Sequence, residues 1–293
     1  MSTVDPRGQR PVRGITLVLL GYLAWSLMDL GVKLQAERFH TVQIACQNAL
    51  IALLPCFASI AWSGTWSRIR TATPGLQAVR GILFALTGLG IFWGLGQLPI
   101  ADVYALLFTI PLWVTALSVP MHKARVGWRR WTAVLVGFAG VMVMLRPGGE
   151  MLGIAAVVVL GAAFAETLAL LTIRWVPPEE SAEAMTIWPY LVIVLVLLPA
   201  LPWLGRWPDA AELPLILVTG ILAGMGSLLV TQAYRDAAAA TVAPFQYSQM
   251  PYGILIGVVV FGDRPSPAML LGALIVIASG LYILDRERRH RPG

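Results

Sequence analysis

Residues 98–117 read LPIADVYALLFTIPLWVTAL, and residues 239–265 read AATVAPFQYSQMPYGILIGVVVFGDRP. The first run holds a single charge, Asp102, in a stretch long enough to cross the roughly 30 Å hydrocarbon core of a bilayer as a helix. Each run carries a proline near its middle, Pro111 and Pro251, which removes a backbone donor and breaks the i to i−4 ladder there. The two prolines are 140 residues apart, and the same gap-free offset aligns Gly140 with Gly280 and the VLLG run ending at Gly21 with the VVLG run ending at Gly161. Two membrane helices broken at equivalent points therefore head a reading of the chain as two repeats.

The rest of the chain agrees with a membrane setting. Of its 293 residues 58% are hydrophobic and 12% charged, where a soluble domain carries about 25% charged residues. Apolar runs place helices at 14–34, 41–63, 76–97, 101–121, 128–146, 151–174, 184–204, 213–235, 241–262 and 267–285. The net charge of +6 does not point to nucleic acid, because the basic residues form short clusters between apolar runs. With the N-terminus in the cytoplasm, 16 of the 21 Lys and Arg fall on the inside, which the charge rule for membrane proteins favours and an odd helix count would spoil. Seven tryptophans, Trp62, Trp66, Trp128, Trp131, Trp175, Trp203 and Trp207, fall at helix ends, where an indole meets both water and lipid.

The expected fold is thus an all-α integral membrane protein of ten transmembrane helices, built as two inverted five-helix repeats with both termini cytoplasmic. Five helices is an odd number, so the second repeat inserts upside down relative to the first. The divisions are a cytoplasmic tail at 1–13, a first repeat at 14–146, a second repeat at 151–285 and a basic cytoplasmic tail at 286–293.

The chain resembles the ten-helix EamA-type exporters of the drug/metabolite transporter superfamily, and in length and layout the YddG-type amino-acid exporters among them. The resemblance rests on the two runs quoted above, on GFAGVMVMLRPG at 137–148 and on LLGALIVIASGLYIL at 270–284, and it covers nearly the whole chain. One departure is Asp263, where the family often has Glu after the glycine of the second-half turn. The resemblance implies a secondary exporter of small metabolites in the bacterial inner membrane. It works by alternating access around a midplane cavity walled by helices 1, 3, 4, 6, 8 and 9. Neutral, aromatic or hydrophobic amino acids are the leading substrates, and proton-coupled efflux of lipophilic cations is the alternative.

Candidate site residues follow from polarity inside apolar helices. Asp29 and Glu166 are carboxyls within spans, and such groups are costly and functional by default. Lys33, four residues after Asp29, offers an intrahelical ion pair that would leave Asp29 structural, whereas Glu166 has no cation near it in sequence; both remain candidates for proton coupling. Substrate contacts are sought among Trp25, Trp93, Tyr104, Phe108, Gln246, Tyr247 and Gln249, together with Glu166. Pro111, Pro251 and the GxxxG pairs Gly90/Gly94 and Gly253/Gly257 are candidate breaks, seams or hinges, as is Gly220/Gly224. Gln43, Gln47 and Asn48 read as hydrogen bonding between helices, and Glu179, Glu180 and Glu183 as a solvated turn.

No enzyme, cofactor or metal is expected: HExxH, GxSxG and GxxxxGK[ST] are absent, no histidine falls within a span, and Cys46 and Cys56 lie too far apart on one helix to pair. The expected partners are a small solute and lipid. A monomer satisfies the pattern, and the sequence gives no oligomeric state.

Overall fold

The computed structural model describes residues 11–122, 128–145, 153–177, 179–237 and 242–290. The expected turn after helix 4, the link between the repeats and the outermost parts of both tails lie outside the described residues. The described α-helices are α1 (Pro11–Ala36), α2 (Thr41–Ser63), α3 (Pro74–Gln97), α4 (Ile100–Leu107), α5 (Ile110–His122) and α6 (Trp128–Leu145), then α7 (Ile154–Leu171), α8 (Ala182–Leu197), α9 (Leu201–Leu204), α10 (Leu213–Asp236), α11 (Gln249–Ile256) and α12 (Pro267–His290). Among the described residues seven segments are long and apolar enough to cross a bilayer: α1, α2, α3, α4 with α5, α7, α8 with α9, and α10; α6 and α12 hold shorter apolar stretches. Trp62, Trp66, Trp203 and Trp207 stand exposed at helix ends.

The two prolines act one step earlier than the sequence suggests. Rather than kinking one continuous helix, Pro111 lies in the first turn of α5, after α4 has stopped and Phe108 and Thr109 have turned. A proline in a first turn sacrifices no intrahelical bond, and its fixed φ suits the start of a helix. The break is satisfied locally: the Thr109 hydroxyl and N–H donate to the Leu106 carbonyl at 2.7 and 3.1 Å, and the Leu112 and Trp113 N–H groups donate to the Thr109 carbonyl at 2.9 and 3.0 Å. In the second half a 3₁₀ segment, Ala243–Ser248, gives way to α11 with Pro251 in its first turn. A π-helical turn, Gly257–Phe261, then ends at Gly262, whose φ of 67° is the left-handed conformation glycine adopts most easily. The breaks at 108–109 and 248–249 are again 140 residues apart.

Helix packing follows the same offset. α1 lies along α10 as α7 lies along α3, and α2 packs on α10 as α8 packs on α3. The pairs α2 with α8, α4 with α11 and α6 with α12 map onto themselves. Glycines make the close approaches. A Cβ on Gly21 would sit 2.7 Å from Val230 Cγ2 and 3.2 Å from the Gly226 carbonyl oxygen, and one on Gly90 would sit 2.7 Å from Ala162 Cβ. Gly94 faces Val159, and Gly220 and Gly224 face Ile51, Ala52 and Pro55. Small residues let backbones meet where lipid offers no hydrophobic drive to association. Cys46 and Cys56 are buried packing residues with free thiols.

Two polar clasps tie loops together at opposite ends of α2. At its N-terminal end the Gln43 amide donates to the Arg206 carbonyl at 2.7 Å and accepts from the Arg206 N–H at 3.0 Å. Arg206 also lies 4.2 Å over the Phe39 ring and joins Arg38 on Glu212, at 2.6 and 3.5 Å. At the other end Arg68 pairs with Glu183 at 2.8 Å, while Glu180 accepts from Thr71, Thr73 and Gln77. The expected solvated turn is therefore corrected: Glu180 and Glu183 are held by the 68–77 segment because that segment supplies a guanidinium, two hydroxyls and an amide. The expected hydrogen bonding between helices is present at Gln43 and at Gln47, which donates to Gln35; the Asn48 amide returns to its own helix at the Ile44 carbonyl.

Candidate functional site

The site is built from one face of α1. Tyr22, Ser26, Asp29 and Lys33 follow the spacing i, i+4, i+7, i+11, which aligns side chains along a helix. Asp29, 4% exposed, accepts a 2.6 Å hydrogen bond from the hydroxyl of Tyr104 on α4. This bond fixes the break-bearing helix 4 to α1. Glu166, on α7, reaches the same interior: it interacts electrostatically with both Asp29 and Tyr22. Tyr22 in turn faces Tyr234 of α10, which keeps 38% of its surface exposed. One carboxyl from each half and three tyrosines thus converge, and the buried hydroxyl of Ser26 lies beside that of Tyr104.

Lys33 corrects the expected ion pair with Asp29. Its ammonium reaches instead across to α3, donating to the carbonyls of Leu98 at 2.6 Å and Leu95 at 3.3 Å. The reason is local: the residue that would satisfy the Leu95 carbonyl is Pro99, which has no N–H, so the C-terminus of α3 presents orphan acceptors and a negative dipole end to a cation. The ammonium also sits 5.1 Å over the ring of Phe261 and within electrostatic reach of Asp102 and Asp263. A cavity of about 90 Å³ lies beside these two acids, lined also by Gly253, Gly257 and Ser266.

The remaining candidates divide. Phe108, 1% exposed, stacks edge to face on Tyr247 at 5.0 Å, so the two broken segments cross at their breaks; Tyr104 rests on Gly253. The Tyr247 hydroxyl is buried against Gly280 without a partner, and Gln246 and Gln249 are half-buried on the same segment. Trp25 faces the α1–α10 seam: its ring covers Gly226, its indole N–H donates to the Ala223 carbonyl at 3.4 Å, and it meets Tyr22 edge to face at 5.7 Å. Trp93 and Gly90 line a different feature, an open apolar groove of about 650 Å³ between α3 and α7 that Gly161, Phe164 and Leu168 also border. Gly257 approaches Asp263. The sequence reading missed Tyr22, although its place one turn from Ser26 and two from Asp29 was the available signal. Among the described residues no group of three His, Cys, Asp or Glu side chains could hold a metal ion.

The family model described as the EamA-like transporter family matches twice, over residues 12–146 and 153–284. A riboflavin transporter of Vibrio cholerae serotype O1 is 28% identical over 95% of both chains, and one of Rhizobium johnstonii is 28% identical over 98% of this chain and 95% of its own. An S-adenosylmethionine uptake transporter of Rickettsia bellii is 24% identical over 94% of both. A protein of known crystal structure shares the fold, with a TM-score of 0.65 at 17% identity over 95% of this chain and 99% of that one. Two matches that together span nearly all of the chain, over a bundle of apolar helices, place it as a multi-pass membrane transporter for small molecules: the chain belongs to the EamA-like transporter family.

Proposed function

We propose that the chain is a secondary transporter of the bacterial inner membrane that carries a small heteroaromatic metabolite by alternating access, through ten spans in two inverted halves with both termini cytoplasmic. What supports this most is an asymmetry in the packing. α1 and α3 are packed together at the Lys33 end, whereas the equivalent pair, α7 and α10, has no comparable packing among the described residues. The carboxyls of Asp29 and Glu166 lie between these two places. In the proposed orientation the Lys33 end is periplasmic, so α1 on α3 closes the bundle outside, and the unpacked α7–α10 side faces the cytoplasm. Rocking one half on the other would exchange the two arrangements.

The relatives move the substrate reading away from the amino acids that the sequence alone suggests. Riboflavin and S-adenosylmethionine, named for the relatives above, are both fused nitrogen heterocycles on a hydroxylated five-carbon arm, which suits a cleft of tyrosines with polar groups between them. Uptake is then the favoured direction. The test is flux of labelled riboflavin, S-adenosylmethionine and phenylalanine into liposomes holding the purified protein, with and without an imposed pH gradient. Flux of a heterocycle with none of phenylalanine supports the reading; phenylalanine flux alone returns it to amino-acid export.

A further inference from the structure

We propose that the groove between α3 and α7 is a binding site for one acyl chain of a membrane phospholipid. The chain completes a seam that the other half of the protein closes with its own side chains.

The internal repeat carries the first step. Between α1 and α10 the seam is filled by Tyr22, Trp25 and Val230, with the indole of Trp25 lying on Gly226 and edge to face on Tyr22. The 140-residue offset carries these three positions onto Ala162, Ala165 and Gly90. All three line the groove of about 650 Å³ between α7 and α3. The groove therefore lies where the other half places two aromatic rings and a valine. Closer helix packing does not take up this space here, because Gly90 already meets Ala162 so tightly that a Cβ on it would sit 2.7 Å from the alanine Cβ.

Location and shape name the occupant. The groove is continuous with the bilayer-facing surface, on which Leu86 and Val157 stand exposed, so lipid is what it opens onto. Its lining is apolar apart from Thr41; water there would find almost no partners, and an empty groove would forfeit dispersion contacts along its walls. From Leu83 to Trp93 it follows α3 for about 15 Å, the depth of one leaflet of a roughly 30 Å hydrocarbon core. A helix from a second copy, about 10 Å across, would need about 1,200 Å³ over that length, far more than the groove holds, whereas a single hydrocarbon chain fits. Thr41, in the first turn of α2, and Trp93, near the end of α3, mark the end where the chain meets its headgroup, since a hydroxyl and an indole suit that level. The lipid belongs to the leaflet at the Lys33 end, with its tail reaching Leu83.

The experiment places the full chain in liposomes of phosphatidylethanolamine and phosphatidylglycerol that contain a phosphatidylethanolamine with a diazirine on one acyl chain. After illumination, the labelled residues are mapped by mass spectrometry. Labelling at 90–93 and 162–165 should exceed that at Leu195, an exposed residue on α8, by about fivefold. It should fall to the Leu195 level in Ala165→Trp, which restores the counterpart of Trp25. Should Ala165→Trp fail to fold by size-exclusion chromatography, Gly161→Leu, whose side chain enters the same open space, carries the test. Groove labelling no higher than at Leu195, or unchanged in the folded variant, overturns the site. Labelling displaced by riboflavin or S-adenosylmethionine gives the groove to a solute and overturns the lipid assignment as well.

Discussion

The end of the bundle at Lys33 and the end at Tyr234 are equivalent under the 140-residue repeat, yet they are built differently. At the first, α1 and α3 are joined because Pro99 leaves acceptors free and Lys33 fills them. At the second, the residue 140 beyond Lys33 is Ile173, which is 39% exposed and has no charge to reach α10 with. The seams show the same contrast. Gly21 is pressed on Val230, whereas a Cβ on Gly161, its equivalent, would meet nothing within 4 Å. The polar clasps at the two ends of α2, by contrast, are both closed. In the proposed cycle the difference assigns the motion: α2 and α8 with their clasps form the frame, and α1 against α3 and α7 against α10 are the contacts proposed to trade.

The seam contrast gives the largest expected effect. Gly21→Leu forces a side chain onto the Gly226 backbone, which cannot yield, and overpacking of this kind costs about 1–3 kcal/mol or more; folded yield should collapse in size-exclusion profiles. Gly161→Leu meets open space, so yield should hold while flux falls about tenfold if the α3–α7 groove must narrow in each cycle. Flux equal to wild type in Gly161→Leu would mean that the groove belongs to lipid alone.

Next in size is the closure itself. Lys33→Met keeps the apolar stem and removes the cation, leaving the α3 C-terminus unsatisfied. In a background with Cys46 and Cys56 replaced by Ala, a cysteine at Ser26 should react with a membrane-impermeant thiol reagent from outside about tenfold faster once Lys33 is Met. An unchanged rate would separate Lys33 from the closure.

Much of this was legible beforehand. Apolar runs located the helices, and Pro111 with Pro251 located both breaks to within three residues, since proline's missing donor and fixed φ act on the chain locally. The spacing of Gly90 with Gly94 and of Gly220 with Gly224 marked true close approaches. What could not be read was rotation: each helix sequence shows its own neighbours at i+4, which is why Lys33 looked like the partner of Asp29. The actual partner, Tyr104, is 75 residues away, and the choice depends on which faces of α1 and α4 meet. Glu183 was misread for the same reason, because its cation, Arg68, comes from another loop.

A smaller effect is expected at the second break. Pro251→Ala restores a donor in the first turn of α11 and lets the helix grow back toward Tyr247, so turnover should fall a few-fold with yield unchanged. Equal losses of both would make the break merely structural.

The smallest effect concerns the frame. The Arg206 guanidinium and the Asp209 N–H hold the Glu212 carboxyl down, at about 2. A carboxyl whose folded value is depressed stabilises the fold above its unfolded value, near about 4.3, and loses that contribution as pH falls toward the folded one. The difference in thermal stability between wild type and Glu212→Gln should therefore be constant above about pH 5 and shrink between there and pH 2. A difference that does not vary with pH would place its origin outside this charge.

The claim that the two ends trade contacts is tested most directly by spin-label distances. One pair, at Glu37 and Gln97, reports the separation of α1 and α3; the other, at Ile173 and Thr231, reports that of α7 and α10. Measured by pulsed electron resonance with and without S-adenosylmethionine, the first distance should lengthen as the second shortens. Two distances that stay fixed, or that change in the same sense, would contradict alternating access between these ends.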